Sequence, residues 1–310
     1  MITYVKTNLL ESPAQVLVNT INTVGVMGKG IAKEFKTIYP DMFKEYQLLC
    51  EEKTLDIGML WIFKTSHKWI LNFPTKKHWR SPSKLEYIEQ GLKKFVETYE
   101  EKGIVSISFP LLGCGNGGLN WELEVQPLME KYLRPLPIDV YIHLNPTREH
   151  KKKEHNDVMD TKAWLRANPQ ELSFTELWDD LTEVISTKRD IAFVSAGEKY
   201  NVRIYSHNNE VGILFTSEHT EVFVTEEQLM DLWKYLRRVG FALKQTLPNG
   251  LEVIGSPLLS LLSNLPYLEP VSMGFRYESE DDLHLGIRII PQLIKNDSDN
   301  GEVGVSEIEE

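Results

Sequence analysis

Three short segments concentrate the glycine, basic and aromatic residues that are suited to chemistry in this sequence. Residues 19–32 read NTINTVGVMGKGIA, residues 72–80 read NFPTKKHWR, and residues 110–121 read PLLGCGNGGLNW. Each follows an apolar run typical of a strand and precedes a segment with helical periodicity. Ligands of open α/β sheets bind at such carboxyl ends of strands, so these segments are predicted to meet at one edge of a sheet.

The two glycine-rich segments predict an anion site. Gly28 and Gly30 lie just before a helical segment, and four glycines fall within positions 113–118. Glycine lets the backbone approach a ligand closely, and free N–H groups at a helix start favour phosphate. The spacing excludes a P-loop, since only two residues separate Gly25 from Gly28-Lys29. Two such loops together are predicted to hold a diphosphate through main-chain N–H groups.

The third segment is typical of a single-stranded nucleic-acid contact. Lys76, Lys77 and Arg80 flank a histidine and Trp79 at the end of a predicted strand. Basic side chains bind the phosphates of a strand, while an aromatic ring stacks on its bases. The alternative is a solvated loop in which Trp79 packs onto the helix that follows. For Cys114 the alternative to a ligand contact is a small filler in a turn.

These motifs, together with KTNLL at 6–10, resemble those of a macrodomain, the ADP-ribose-binding fold. The resemblance extends to the DarG branch, the antitoxins of DarT–DarG toxin–antitoxin pairs, because ordinary macrodomains lack the lysine- and tryptophan-bearing loop. It implies a three-layer α/β/α fold and hydrolysis of the N-glycosidic bond between ADP-ribose and a base of single-stranded DNA. It further implies that the C-terminal half binds a DarT-type ADP-ribosyltransferase toxin.

The resemblance also implies roles for individual residues. Lys76 is the catalytic amine, chosen over Lys77 by motif position, and Asn22 hydrogen-bonds the distal ribose. An amine is needed at the anomeric carbon, either to attack it or to protonate the leaving base. The predicted DNA contacts are Lys77, His78, Trp79 and Arg80. The predicted ADP-ribose contacts are Asn8, Leu9, Asn19, Thr23, Val24, Gly25, Gly28, Lys29, Gly30, Gly113, Cys114, Gly115, Asn116, Gly117, Gly118 and Leu119. Many macrodomains have Asp at the position of Asn8, so adenine recognition there differs from the family pattern.

Composition excludes several classes of protein. The 310 residues include two cysteines, too few for a disulfide framework or a four-cysteine zinc site. No apolar run reaches the roughly 18 residues of a membrane span, and the N-terminus lacks the apolar core of a signal peptide. We therefore expect a cytoplasmic protein without membrane association. The motifs contain no metal cluster, so the reaction is predicted to need neither metal nor cofactor.

Charge divides the chain into unequal halves. Residues 1–155 carry a net charge of +3, whereas residues 156–310 carry 13 Lys and Arg against 27 Asp and Glu, a net charge of −14. Such a half repels nucleic acid and attracts a basic surface. The predicted organisation is a macrodomain over 1–150, a polar linker over 151–168, an α+β domain over 169–294 that binds the toxin, and a disordered acidic tail over 295–310.

Other functions stay open at this point. The chain could be a reader that binds ADP-ribose without turnover, or a hydrolase of an ADP-ribosyl linkage on a protein or small molecule. A third possibility is a protein that mainly sequesters the toxin. The segment 72–80, called the lysine loop below, favours an enzyme that acts on DNA. The expected partners are ADP-ribosylated single-stranded DNA, the product ADP-ribose and a DarT-type toxin.

Overall fold

The computed structural model describes residues 1–144, 158–187, 193–195, 198–274 and 284–290. We refer to 1–144 as the first domain and to 158–290 as the second. The first domain is built on six strands: β1 (Ile2–Val5), β2 (Val16–Ile21), β3 (Trp61–Lys64), β4 (Trp69–Pro74), β5 (Ser106–Phe109) and β6 (Asp139–His143). They pair in the order β1-β6-β5-β2-β4-β3, and all pairs are parallel except β3 with β4.

Helices cover both faces of this sheet. They are α1 (Gly30–Ile38), α2 (Pro40–Glu51), α3 (Leu85–Thr98) and α4 (Gln126–Leu133). Strand β2 alternates between the two cores: Val16 and Val18 pack with α3 and α4, while Leu17 and Ile21 pack with α1 and α2. A strand buried on both faces carries apolar residues toward both cores, as four of the six positions of β2 do. The predicted three-layer α/β/α fold is confirmed.

The second domain combines helices with two antiparallel sheets, as predicted. Its helices are α5 (Val158–Arg166), α6 (Phe174–Thr187), α7 (Glu226–Val239) and α8 (Gly255–Leu262). Its strands are β7 (Phe193–Ser195), β8 (Glu198–His207), β9 (Glu210–Thr216), β10 (Glu221–Thr225), β11 (Phe241–Leu243), β12 (Leu268–Met273) and β13 (His284–Ile289). One sheet has the order β10-β9-β8-β7 and the other β11-β13-β12.

A hairpin turn and a helix cap in the second domain are formed by residue types that favour them. Asn208 and Asn209 adopt φ of 50° and 67° and close the β8–β9 hairpin. Thr225 and Gln228 form a capping box at the start of α7, which ends at Gly240 with φ of 92°.

The predicted linker is partly wrong. Residues Val158–Arg166 form α5 rather than an extended connection. Leu165 is buried in the core of the second domain, with Trp164 packed against the same cluster. Burial of these side chains stabilises a helix that the polar composition conceals. The predicted acidic tail, residues 295–310, lies outside the described residues.

The two domains share a buried interface. Val26 and Trp79 of the first domain belong to the main hydrophobic cluster of the second. Arg237 of α7 donates to the Glu51 carboxylate at the end of α2 over 2.7 Å, and the Glu51 side chain is only 2% exposed. Across the described residues, no helix combines the length and apolarity that a membrane crossing requires.

Candidate active site

A cavity of about 610 Å³ opens where strands β1, β2, β5 and β6 end in loops. This volume is within the range of small-molecule sites. All the residues described as lining it belong to the first domain. They come from the loop after β1, the glycine loop after β2, the lysine loop after β4, the glycine loop after β5 and the end of β6. The three chemistry-bearing segments of the sequence therefore meet at one edge of the sheet.

The Asn22 side chain organises the first glycine loop. Its Nδ2 donates to the Val26 oxygen over 2.6 Å, and its Oδ1 accepts from the N–H groups of Val24 and Val26 over 3.0 and 3.3 Å. The hydroxyl of Tyr46, from α2, donates to the same Oδ1 over 2.9 Å. Asn22 thus shapes the loop that leads to α1.

Glycine is required where the two glycine loops approach each other. Gly30 begins α1 with φ of 59°, and a β-carbon there would lie 3.0 Å from the Asn116 amide nitrogen. In the second loop, a β-carbon on Gly117 would lie 2.2 Å from the Gly113 oxygen. Both loops can present main-chain N–H groups to the cavity because these positions lack side chains.

The lysine loop separates its two lysines. Its main chain is tied to the end of β2, since the Thr75 N–H donates to the Ile21 oxygen over 2.9 Å. Lys76 is 6% exposed and lines the cavity, where its Nζ donates to the Trp79 oxygen over 3.3 Å. Lys77 is exposed and does not line the cavity, and its carbonyl accepts the Thr23 hydroxyl over 2.8 Å. Of the two lysines in this loop, Lys76 is the one that lines the cavity.

Known proteins are similar to the first domain. A sequence profile of the Macro domain matches residues 18–127. Over 148 residues the chain is 45% identical to the DNA ADP-ribosyl glycohydrolase of Thermus aquaticus, a match that covers 46% of this chain and 41% of that protein. The first domain belongs to the macrodomain family.

Two further similarities concern this macrodomain. Over 159 residues it is 40% identical to a DNA ADP-ribosyl transferase-DNA ADP-ribosyl glycohydrolase fusion protein of Thermosipho africanus, with 45% of this chain and 41% of that protein covered. The solved macrodomain of Thermus aquaticus DarG is 44% identical, with a TM-score of 0.45 and coverage of 47% of this chain and 99% of that one. The chain spans about two fifths of the length of these curated relatives.

Many of the predicted ligand contacts do line the macrodomain cavity. Asn8 accepts the Leu10 N–H over 3.1 Å at the start of a short 3₁₀ turn, and Leu9 follows it. The predicted residues on the cavity wall are Asn8, Leu9, Asn22, Gly28, Lys29, Gly30, Lys76, Gly113, Cys114, Gly115, Asn116 and Gly117.

Six predicted ADP-ribose contacts are not among the residues that line the cavity. Asn19 is fully buried within β2, where its Nδ2 donates to the Asn72 side-chain oxygen over 2.9 Å. Gly25 packs against Ser173 of the second domain. The full set outside the cavity wall is Asn19, Thr23, Val24, Gly25, Gly118 and Leu119. A position within a glycine-rich segment therefore does not by itself place a residue on the cavity wall.

The assignment of Trp79 and Arg80 to a DNA strand is contradicted by their surroundings. Trp79 is 0% exposed, and its Nε1 donates to a Glu176 carboxylate oxygen over 2.9 Å. Arg80 donates to both Glu176 oxygens over 2.8 and 2.9 Å and to Asp179 over 2.8 Å. Both side chains are therefore committed to α6 of the second domain. Of the four predicted DNA contacts, only Lys77 is exposed.

His78 lies at the same domain boundary as a neutral side chain. Burial, followed by the neighbouring Arg80 charge, lowers the pKa of His78 to about 4. Its Nδ1 accepts the Arg80 N–H over 3.2 Å, which the neutral ring allows. Ligand atoms of His78, Glu176 and Asp179 lie within 4.8 Å of one another, a spacing that could hold a metal ion. The Arg80 guanidinium bonds to both carboxylates there, so a protein cation already pairs with them.

Sequence reasoning missed the polar residues at the ends of β1 and β6. His143 is 3% exposed, lines the cavity, and has its Nδ1 2.9 Å from the Thr7 oxygen. Its Nε2 lies 3.3 Å from the Ser108 hydroxyl. The sequence does contain a signal for His143, because this polar residue is the last of an apolar strand, and the carboxyl ends of such strands form the ligand-binding edge of the sheet. The other missed lining residues are Thr7, Thr20, Ile21, Val26, Ile31, Ala32, Glu34, Thr75, Pro110 and Leu111.

Proposed function

We propose that this chain is a DNA ADP-ribosyl glycohydrolase, which hydrolyses the N-glycosidic bond between ADP-ribose and a base of single-stranded DNA. The observation that carries the proposal is the position of Lys76. It brings a buried amine into a cavity that is otherwise lined by glycine loops suited to a diphosphate. The relatives that share this macrodomain at 40% and 45% identity bear the name of that activity.

In the proposed site, the two glycine loops bind the diphosphate of ADP-ribose and Lys76 contacts the distal ribose. Main-chain N–H groups of the loops around Gly28–Gly30 and Gly113–Gly117 hold the diphosphate, and the Lys29 side chain adds positive charge. The distal ribose then lies beside Lys76, with its anomeric carbon facing the amine. Charge that develops on this carbon in the transition state is offset by the bound diphosphate.

Lys76 has two chemical routes. As a nucleophile, its neutral amine forms a bond to the anomeric carbon as the carbon–base bond breaks, and the base leaves with a proton. Water then displaces the lysine and releases ADP-ribose. As an acid, the ammonium protonates the leaving base while water attacks the same carbon. On the first route the Lys76 adduct can open the ribose ring, so that the C–O bond of the ring breaks as an imine forms between Lys76 and the anomeric carbon. Borohydride reduces this imine to a permanent covalent adduct, which the second route does not give.

Lys77 is the side chain that we propose to contact the DNA strand. Its exposed side chain neighbours the lysine that lines the cavity, so it can reach the phosphates of a strand whose modified base enters the site. His78 is partly buried at the domain boundary, so Lys77 is the exposed side chain among the four predicted DNA contacts.

Comparison of substrates tests the activity. The full chain should release ADP-ribose from an ADP-ribosylated single-stranded oligonucleotide in a time course with multiple turnovers. ADP-ribosylated protein and ADP-ribose phosphate, at equal concentration, should be cleaved far more slowly. Binding of ADP-ribose without turnover would identify a reader, and faster cleavage of protein or small molecule would identify another hydrolase.

We also propose that the acidic half binds a DarT-type ADP-ribosyltransferase toxin. Two observations support this: the net charge of −14 over residues 156–310, and the fusion of a transferase with a glycohydrolase in the Thermosipho africanus relative. An acidic surface can occupy the basic surface on which such an enzyme holds DNA. Affinity of the full chain for the toxin should fall as salt rises, and salt-independent binding would contradict the charge argument.

A further inference from the structure

Helix α6 of the second domain places a buried carboxylate against the lysine loop of the first. Glu176, in the first turn of α6, has a side chain only 2% exposed. Its Oε1 accepts the Trp79 Nε1–H over 2.9 Å, and both of its oxygens accept from Arg80. A buried carboxylate that accepts three such hydrogen bonds is held in one orientation, and it holds Trp79 and Arg80 in return.

The same contact reaches the cavity through the main chain of Trp79. The indole ring of Trp79 is 0% exposed within the core of the second domain. Its carbonyl oxygen accepts Lys76 Nζ over 3.3 Å. The ring is thus fixed by the second domain while the main chain of the same residue orients the amine of Lys76.

We infer that Glu176 is a positioning residue for Lys76, which acts through Trp79 and Arg80; this inference rests on the proposed glycohydrolase function. Among the described residues that line the cavity, none comes from the second domain. Loss of Glu176 should therefore leave the ADP-ribose pocket intact and displace the amine. The second domain then contributes to turnover without touching the ligand.

Kinetics of four full-length proteins test the inference: wild type, Glu176→Ala, Trp79→Phe and the double variant. Trp79→Phe removes the N–H that bonds to Glu176 and keeps a smaller aromatic ring in the core. Both single variants should lower kcat on ADP-ribosylated oligonucleotide by about tenfold, since small misplacements of a reacting group are costly. KM and the Kd for ADP-ribose should stay at wild-type values. The double variant should be no slower than the slower single variant, because both changes break one contact.

Matched controls separate positioning from general destabilisation. Glu183→Ala removes another carboxylate of α6, whose side chain is 67% exposed and pairs with Lys162 over 3.6 Å. This variant should behave as wild type. Glu176→Gln keeps an oxygen that can accept the Trp79 N–H, so its kcat should lie between those of wild type and Glu176→Ala.

Chemical labelling of Lys76 gives a readout that does not depend on the reaction. Acetylation by an N-hydroxysuccinimide ester, followed by peptide mass spectrometry, should be faster at Lys76 in Glu176→Ala and Trp79→Phe than in wild type or Glu183→Ala. If wild type releases no ADP-ribose from DNA, the proposed function fails and labelling alone decides the inference. Unchanged Lys76 labelling would overturn the inference, as would an unchanged kcat in an active protein or a parallel loss of ADP-ribose affinity.

Discussion

The hydroxyl of Tyr46 lies 2.9 Å from both the main-chain and the side-chain oxygen of Asn22. Tyr46 is 0% exposed, and burial raises its pKa well above the usual value, so it donates as a neutral phenol. Helix α2, which lies outside the cavity, thereby fixes the loop that carries Gly28 and Gly30.

Removal of this hydroxyl should loosen the loop. Tyr46→Phe is expected to lower the free energy of unfolding by about 1 kcal/mol, the usual net contribution of one hydrogen bond. It should also weaken ADP-ribose binding severalfold, measured by calorimetry. Tyr4→Phe is the control, because it removes a tyrosine hydrogen bond to Glu130 on a strand-edge surface away from the cavity. Equal ADP-ribose affinity of Tyr46→Phe and wild type would contradict the role of Tyr46.

The ion pair between Arg237 and Glu51 should stabilise the interface between the domains. The two side chains are 11% and 2% exposed, so Arg237→Ala leaves a buried carboxylate without its cation. Loss of one partner of a buried pair costs about 3–5 kcal/mol, which urea denaturation of the full chain can measure.

Arg288→Ala provides the comparison for that ion pair. Arg288 contacts Glu269 over 2.6 Å, but the two side chains are 51% and 37% exposed. Exposed pairs contribute roughly 0–1 kcal/mol, so this variant should unfold close to wild type. Similar losses of unfolding free energy for Arg237→Ala and Arg288→Ala would show that burial at the interface does not strengthen the Arg237–Glu51 ion pair.

His78 should make stability depend on pH. Its pKa is about 4 in the folded chain and 6.5 for the free side chain, so between these values the unfolded state binds more protons. The free energy of unfolding therefore decreases as pH falls from about 6.5 to 4. His78→Gln should flatten this part of the profile, whereas His67→Gln, at an exposed site, should not. If the free energy of unfolding of His78→Gln and of wild type changed with pH at the same slope, the lowered pKa of His78 would be contradicted.

Apolar runs in the sequence indicate the six strands of the first domain, and helical periodicity indicates α1, α3 and α4. Helix α2 lacks such a signal because Pro40 indicates the end of α1, although proline is also well placed in the first turn of a helix. Of the predicted contacts in the glycine loops, Gly28, Gly30, Gly113, Gly115 and Gly117 line the cavity together with Lys76, whereas Gly25 and Gly118 do not.

What the sequence did not reveal are contacts between distant segments. Trp79 and Arg80 have the composition of a nucleic-acid contact, but their partner is Glu176, nearly one hundred positions away in the chain. Asn19 resembles a ligand contact, yet its amide pairs with Asn72 on the adjacent strand. A polar side chain at a strand end can face a cavity, a neighbouring strand or another domain, and only the fold distinguishes these.

The most direct test of the account is release of ADP-ribose from ADP-ribosylated single-stranded oligonucleotide by full-length Lys76→Ala and Lys77→Ala, alongside their affinities for ADP-ribose. We predict that Lys76→Ala lowers kcat by roughly a hundredfold or more, the scale of a lost acid, base or nucleophile, with ADP-ribose affinity retained. Lys77→Ala should keep kcat and raise KM for the oligonucleotide. Wild-type turnover in Lys76→Ala, or a loss of turnover confined to Lys77→Ala, would contradict the account.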